Sequence, residues 1–310
     1  MPESQFPQFD VLGFGAVAVD ELLLVDRYPP AESKVRVRRR EQQCGGLTGT
    51  ALVAAARLEA RCAYVGVIGD DELSHLVLNR LAREGIELAH AVHRRDACPA
   101  HSTIVVDLGC NTRTVFAGMD GCLGADDSRP AAGLIEAARC ILIDHHGVEG
   151  SLRAARIARA AGVPVVADFE RRPEGAFDEL LAEVDHLVVG QRFAEQLSGE
   201  GHPGRAAERL AAAGRRAAVV TCGADGCWFA DGRASESVAA DHQPAFPVNV
   251  ADTTGCGDVF HGAYCVAIAR AASQRAAVRF ASAAAALKAE HVGGQSGCPT
   301  LDEVEALLGE

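Results

Sequence analysis

The sequence predicts an α/β fold, a three-layer α/β/α sandwich with a mostly parallel central sheet and a small β-sheet lid. Two patterns predict it. Short apolar runs alternate with longer helical patterns through the middle of the chain, which is the rhythm of βαβ units. Two other segments, 21–43 and 101–119, break that rhythm with strand-type alternation and so leave the main sheet.

Size and composition set the outer bounds. With 310 residues, 48% of them hydrophobic, the chain buries one large core with an appendage, read as a single domain over 1–310. The balance of 30 basic and 42 acidic residues, a net −12, argues against nucleic acid or an anionic membrane as partner, because phosphate surfaces need clustered cations. A small ligand is expected instead. The 11 cysteines are scattered without a C-x-x-C pair and read as reduced thiols. Met1 to Phe9 has neither a charged lead nor an apolar core, and no run of 18 apolar residues follows, so a soluble, cytoplasmic protein is expected.

Taken in order, Gly13-Phe14-Gly15-Ala16-Val17-Ala18 matches the G-x-G-x-x-A form of a dinucleotide fingerprint. No helical spacing follows it, so a strand ending in a tight turn that aims Asp20 into a cleft is preferred to a dehydrogenase. Val35-Arg36-Val37-Arg38 and Thr103-Ile104-Val105-Val106 alternate as half-exposed strands, with a turn at 109–111. The lid is placed at about 17–44 and 96–122. Arg36, Arg38, Arg39 and Arg40 read as its solvated face, with a grip on an acidic substrate as the alternative. Cys44-Gly45-Gly46-Leu47-Thr48-Gly49-Thr50 suits a hinge before the helix 51–58, with Thr48 or Thr50 as a cap.

The βαβ series then runs strand 140–144, helix 150–161, strand 164–168, helix 174–183, strand 186–189, helix 206–213 and strand 217–221. Thr221-Cys222-Gly223-Ala224-Asp225-Gly226 reads alone as a hairpin, and beside an anion site as a phosphate-contacting turn. His145-His146 with Glu149 resembles a metal pair, but adjacent histidines on a strand face opposite ways, which argues against zinc. His146 remains a candidate pocket residue.

The most informative stretch is Asp252-Thr253-Thr254-Gly255-Cys256-Gly257-Asp258, opening the apolar helical run 259–268. Its glycines let the backbone turn sharply into a helix, so unpaired N–H groups and the positive helix end converge and attract an anion. A carboxylate there, Asp258, suits proton removal from a hydroxyl beside a phosphate.

Together Asp20, Gly45-Gly46, Gly223 with Gly226, and 252–258 resemble the ribokinase-like PfkB carbohydrate kinase family, over Asp10 to Leu308. The resemblance implies an ATP-dependent sugar kinase with Mg2+, in which the nucleotide-binding part lies at about 185–310. It implies that Asp258 is the base and that Gly255, Cys256 and Gly257 form the phosphoryl hole. Thr221, Gly223 and Gly226 would contact nucleotide. Asp20 would bind sugar hydroxyls, and Gly45 and Gly46 would form the lid hinge. Asp252 and the Thr254 carbonyl would hold a monovalent cation such as K+.

Some positions depart from the family pattern. Cys256 replaces alanine, Thr50 replaces the Asn of the diglycine motif, and Gly190-Gln191-Arg192-Phe193 replaces the magnesium-organising N-x-x-E. Segments 242–246, 257–263 and 279–282 resemble the sulfofructose kinase branch, with Lys34 at a sulfonate-contacting position and His146 and Phe116 where that branch has Arg and Asn. Segment 25–29 resembles the ketohexokinase branch. A ketose, sugar acid or sulfosugar is the implied substrate class, and a homodimer through the lid is expected from exposed apolar strands such as 103–106. A nucleoside kinase is the nearest alternative, disfavoured because only 5% of residues are aromatic and Tyr64 and Tyr264 are expected in core elements and not in the lid, which leaves no evident base-stacking pocket. A non-catalytic regulator on the same fold is the other.

Overall fold

The computed structural model describes residues 8–110, 112–233 and 238–309. The first half contains β1 (Val11–Phe14), β2 (Ala18–Val25), β3 (Val37–Gly45), α1 (Leu47–Arg57), β4 (Cys62–Tyr64), β5 (Val67–Ile68), α2 (Glu72–Arg83), β6 (Val92–His93), β7 (Ala100–Asp107) and β8 (Thr112–Gly118). The βαβ series follows as α3 (Ala132–Glu136), β9 (Ile141–Asp144), α4 (Val148–Ala160), β10 (Val165–Asp168), α5 (Phe177–Ala182), β11 (His186–Gly190), α6 (Gln191–Ser198), α7 (Pro203–Ala212) and β12 (Ala217–Thr221). The chain closes with β13 (Cys227–Asp231), β14 (Ala240–Gln243), α8 (Cys256–Ala269), α9 (Gln274–Ala289) and α10 (Leu301–Leu308).

The main sheet has the order β14-β13-β12-β11-β10-β9-β1-β4. From β12 to β4 every pairing is parallel, and β13 and β14 are added antiparallel at one edge. Parallel strands covered on both faces read as unbroken apolar runs, and Ile141–Ile143, Val165–Ala167 and Leu187–Val189 are buried throughout. One core, with Leu52, Tyr64, Tyr264 and Ala281, lies under α1, α8 and α9. The other, with Leu152, Leu180 and Leu210, lies under α4, α5 and α7.

A separate four-stranded sheet has the order β3-β2-β7-β8, with β2 and β7 parallel and both outer pairs antiparallel. Val35 and Arg36 precede β3, so this strand starts later and runs longer than its alternation suggested. A register shift at Leu24/Val25 ends the regular pairing there. Every residue of β8 is exposed, whereas Ile104 on β7 is buried, so within the strands of this sheet the exposed large apolar side chains are Val115 and Phe116 and not those of 103–106. Arg38 pairs with Asp26, Arg40 with Glu21 and Arg39 with Glu41 on the solvated side. At the β7–β8 turn the Asp107 carboxylate accepts from Gly109 N and Cys110 N at 2.9 and 3.0 Å; Asn111 of that expected turn lies outside the described residues, as do residues 1–7 of the N-terminal segment read above.

Some helix boundaries differ from expectation. α1 begins at Leu47 with Gly46 as its N-cap at φ 88°, so Thr48 and Thr50 sit inside the helix and cap nothing. Gly175 adopts φ 93°, which delays α5 to Phe177. Pro203 starts α7 because its missing N–H and fixed φ suit a first helical position. Among the described residues no helix is long and apolar enough to cross a membrane.

Candidate active site

The start of α8 is held from three sides. Gly255 is its N-cap in the left-handed region at φ 78°, where a Cβ would come 3.0 Å from Gly294 Cα. Asp252 Oδ1 accepts from Thr254 N at 2.9 Å and Thr254 Oγ1 at 2.7 Å, and its Oδ2 accepts from Gly293 N at 2.8 Å. Burial alone would raise the Asp252 pKa, but these bonds and the charge of Lys288 bring it below the usual range. Gly257 is exposed, and a Cβ on it would meet no protein atom within 4 Å. The first-turn N–H groups of α8 therefore face outward from a fixed bend.

Two carboxylates stand in register at the carboxyl ends of neighbouring strands, Asp144 on β9 beside Asp168 on β10. Asp144 is fully buried and accepts from Ala16 N at 2.7 Å, Thr48 Oγ1 at 2.9 Å and His146 N at 2.8 Å. Burial works to raise its pKa, yet the His146 contact and these donors hold it below the usual range. A Cβ on Gly15 would fall 2.1 Å from Asp144 Oδ2, so the second glycine of the fingerprint-like stretch makes room for this carboxylate. Strand β2, not a helix, follows that stretch, which removes the basis of the dehydrogenase reading.

Asp168 is pushed up to about 7, chiefly by burial, with His261 opposing and Glu170 and Asp144 reinforcing. His261, on the turn of α8 after Asp258, places Nδ1 2.8 Å from Gly257 O and 3.2 Å from Asp168 Oδ2, and Nε2 3.0 Å from Val188 O. Asp258 itself is half-buried. Desolvation first, then the charges of Asp168, Glu170, Asp144 and Asp20, push its carboxyl well above the ordinary range. A helix N-terminus by itself would hold the group ionised at low pKa, so burial, reinforced by the surrounding acids, reverses that expectation.

The small sheet supplies the opposite wall. Asp20 on β2 is raised by burial, with a hydrogen bond to Ser102 opposing. A Cβ on Gly45 would come 2.7 Å from Asp20 Oδ2, and one on Gly46 would strike the Val17 backbone at 2.6 Å, so the diglycine is required by close packing against β2. A cleft of about 330 Å³ is lined by strand residues of the small sheet, including Asp20, Gln43, Ile104 and Arg113, and by Asp252, Thr254 and Gly293 from the segments before α8 and after α9. Arg113 of β8 spans it, donating to Thr254 Oγ1 at 2.6 Å and standing 3.5 Å from Asp252 Oδ1.

His145 and His146 follow the end of β9, and their rings pack side by side at 4.2 Å between centroids rather than on opposite faces. The chain has already left the strand, so strand alternation does not apply to them. His146 Nδ1 is 3.2 Å from Asp144 Oδ1, while its Nε2 and His145 Nδ1 are buried without a hydrogen-bond partner in the protein. Burial pushes His145 down to about 4. Among the described residues no group of three or more His, Cys, Asp or Glu side chains is arranged to hold a metal ion.

Thr50 is buried in α1, with Oγ1 4.0 Å from where a Gly294 Cβ would lie. Lys34 is exposed in the connection ahead of β3 and does not line the cleft, and Phe116 is exposed on β8. The sulfonate-contacting expectation for Lys34 finds no support in its position. Thr221 ends β12, and the hairpin to β13 turns through Gly223 at φ 59° and Gly226 at φ 84°. A Cβ on Gly226 would meet Gln243 O at 2.1 Å, whereas one on Gly223 would meet nothing. Gly190 is the N-cap of α6, Gln191 and Arg192 are exposed, and Phe193 is buried.

Sequence reasoning passed over Asp144, Asp168, Arg113, His261 and Lys288. Asp144 and Asp168 carried a legible signal, since each is the acidic residue that ends an apolar parallel strand, where open α/β sheets bind ligands. The other three are brought in by tertiary packing alone.

The α8 start thus combines a glycine bend, outward-facing amides and a first-turn carboxylate, with the small sheet opposite. The chain belongs to the pfkB family of carbohydrate kinases, whose family model matches residues 10–301. It is a sugar kinase, a phosphotransferase that acts on a sugar hydroxyl. It is 29% identical to the ribokinase of Bacillus subtilis over 303 residues, covering 95% of this chain and 97% of that protein. It is 26% identical to the 5-dehydro-2-deoxygluconokinase of Shouchella clausii, covering 98% and 96%. The ribokinase structure from Thermotoga maritima superposes with a TM-score of 0.84 at 25% identity, covering 97% of this chain and 99% of that one.

Proposed function

We propose that the chain transfers the γ-phosphoryl group of ATP to a hydroxyl of a small, uncharged ketose, with Asp258 as the base and the amides of 255–257 as the anion hole. The observation that carries this reading is the α8 N-terminus: Gly255 is locked in the left-handed region, Gly257 opens to space that no protein atom fills, and Asp258 sits one residue on. A phosphoryl group fits such a cradle, because fixed amides stabilise the charge that spreads over its equatorial oxygens. Gly223, equally open on the β12–β13 turn, supports nucleotide approach from the same sheet edge.

The raised pKa of Asp258 favours the base assignment, since a carboxyl above its ordinary range takes a proton more readily than a helix-stabilised one. Magnesium would be held by the nucleotide phosphates and water, because Gly190, Gln191, Arg192 and Phe193 offer no carboxylate and few-ligand sites suit that ion. Asp168 and Glu170 lie at the same edge and would bias its charge. ATP binding and magnesium are also in keeping with an E. coli protein solved in complex with ATP and Mg2+, which at 19% identity shares the fold alone.

Acceptors dominate the sugar side. With Nδ1–H of His146 donating to the Asp144 carboxylate, its buried Nε2 is an acceptor, and the Asp20 carboxylate adds another. Hydroxyl donors satisfy such a wall, and an acid group would meet like charge. This favours a neutral ketose over a sugar acid or sulfosugar. A panel of ketoses, aldoses, sugar acids, sulfosugars and nucleosides read by ADP formation tests the proposal: preferential turnover of a neutral ketose is expected. ADP formation only with nucleosides, or with none of the panel, overturns it. Pairing through the exposed β8 face is proposed on Val115 and Phe116, each about half exposed, and sedimentation of the intact chain checks it.

A further inference from the structure

A monovalent cation beside the anion hole would draw on the Asp252 carboxylate and the Thr254 carbonyl. The residues present do not fit one. Both Asp252 carboxylate oxygens already accept hydrogen bonds, two from Thr254 and one from Gly293, and the Arg113 guanidinium stands 3.5 Å away. On the other side of the same residue a lysine is wholly enclosed. Lys288, in the last turn of α9, is 0% exposed and donates through Nζ to Asp252 O at 2.9 Å and to His291 O at 3.0 Å. The chain is pinned there a second time, because Ala251 N and Asp252 N both donate to Ala289 O. A buried lysine is rare without a compensating partner, and here the partners are two carbonyls, the carboxyl end of a helix and the Asp252 carboxylate.

We infer that the Lys288 ammonium is the protein's built-in monovalent cation: it ties the 252–254 segment to the end of α9 and supplies a fixed positive charge behind the anion hole, so that function needs no K+. The inference rests on the kinase reading for its effect on turnover, but not for its effect on the fold. Lys288 acts through Asp252 and the bend, so it is a positioning residue. A freely exchanging ion placed on the same carboxylate would meet the charges of both Lys288 and Arg113.

The test compares the intact chain in K+ with the same chain in choline at equal ionic strength, read by Tm and by ADP formation. The wild type is expected to show the same Tm and a rate within about twofold between the two salts, because an ion that does not bind the native state cannot stabilise it. Lys288→Ala is expected to lose at least about tenfold in kcat and to melt lower, and methylammonium or K+ is expected to raise its Tm and return part of the rate by binding the folded form. A merely structural lysine would not be replaced by a small cation. Clear activation of the wild type by K+, with a matching rise in Tm, overturns the inference, as does Lys288→Ala turning over at the wild-type rate without added cation. If Lys288→Ala does not fold, the wild-type comparison decides alone. If no sugar yields ADP in either salt, the kinase reading fails, and the Tm comparison still decides the role of Lys288.

Discussion

Arg113 and Thr254 join the small sheet to the segment ahead of α8 across the cleft: the guanidinium on β8 donates to the threonine hydroxyl at 2.6 Å, and the same hydroxyl donates to Asp252. A charge-assisted bond of this kind connects the small sheet directly to the segment that shapes the glycine bend. Closure of the small sheet over a sugar would therefore be sensed where the phosphoryl group is held. Arg113→Ala is expected to raise the sugar KM and the ratio of ATP hydrolysed to sugar phosphorylated, because water gains access. The contact is exposed, so Tm should move little. A coupled assay of the two products checks this, and an unchanged ratio removes the coupling role.

Asp258→Asn keeps the shape of the α8 start and removes the proton acceptor. The expected loss in kcat is about 10²–10⁴-fold, the usual scale for a general base, with ATP affinity within a few-fold of wild type. Calorimetric titration of nucleotide alongside turnover separates the two effects. Near wild-type turnover would show that another group takes the proton.

Gly257 and Gly226 make opposite demands on the same substitution. A Cβ at 257 meets open space and lies in a helix, where alanine is favoured by roughly 0.5–1 kcal/mol over glycine, so Gly257→Ala should fold at least as well as wild type. It should nevertheless cost turnover, because the methyl enters the cradle. Gly226→Ala, with a Cβ 2.1 Å from Gln243 O and a backbone at φ 84°, should melt lower. Thermal melts with parallel kinetics distinguish the two.

Stability should carry a mark of Asp168. Its pKa in the fold, about 7, lies above the usual carboxylate value, so the folded state binds its proton more tightly than the unfolded one. The contribution of this group is thus fully present below about pH 4 and is lost as pH rises through about 7. Asp168→Asn should remove that slope, with its relative stability improving toward pH 8. Denaturant melts of both proteins from pH 4 to 8 measure it, and parallel curves would mean that Asp168 stays ionised throughout.

His146 offers a test of acceptor charge. Replacing its Nε2 lone pair with a cation, His146→Arg, should shift the ratio of kcat/KM for a sugar acid over a neutral ketose upward by at least about tenfold, a modest fraction of what paired charges provide. His146→Gln, which keeps an acceptor, should hold the wild-type ratio. Equal losses on both substrates in both variants would leave His146 no part in selecting the sugar.

Much of this architecture was legible in the chain before any contact was known. The apolar runs ending at Asp144, Asp168 and Thr221 read as parallel strands because both faces of such strands are buried and their residues need not alternate. The 252–258 stretch read as an anion site because glycine spacing and a following apolar helix are local features. Boundaries were less legible where a single residue overruled a pattern, as Gly46 did for α1 and Gly175 for α5. The histidine pair was misread because strand alternation was applied beyond Asp144, where the strand reading itself already ended.

By itself, the sequence determined the layer order, the two-sheet division and the position of the glycine bend, since these follow from periodicity and backbone permissiveness over short spans. Only the tertiary structure decided the chemistry's surroundings. Asp258 is raised first by burial and then by acids that arrive from 20, 144, 168 and 170, and Asp252 is held by Lys288 and Arg113 from distant elements. Electrostatic energy depends on distance and burial, which the folded chain sets and the order of residues does not display.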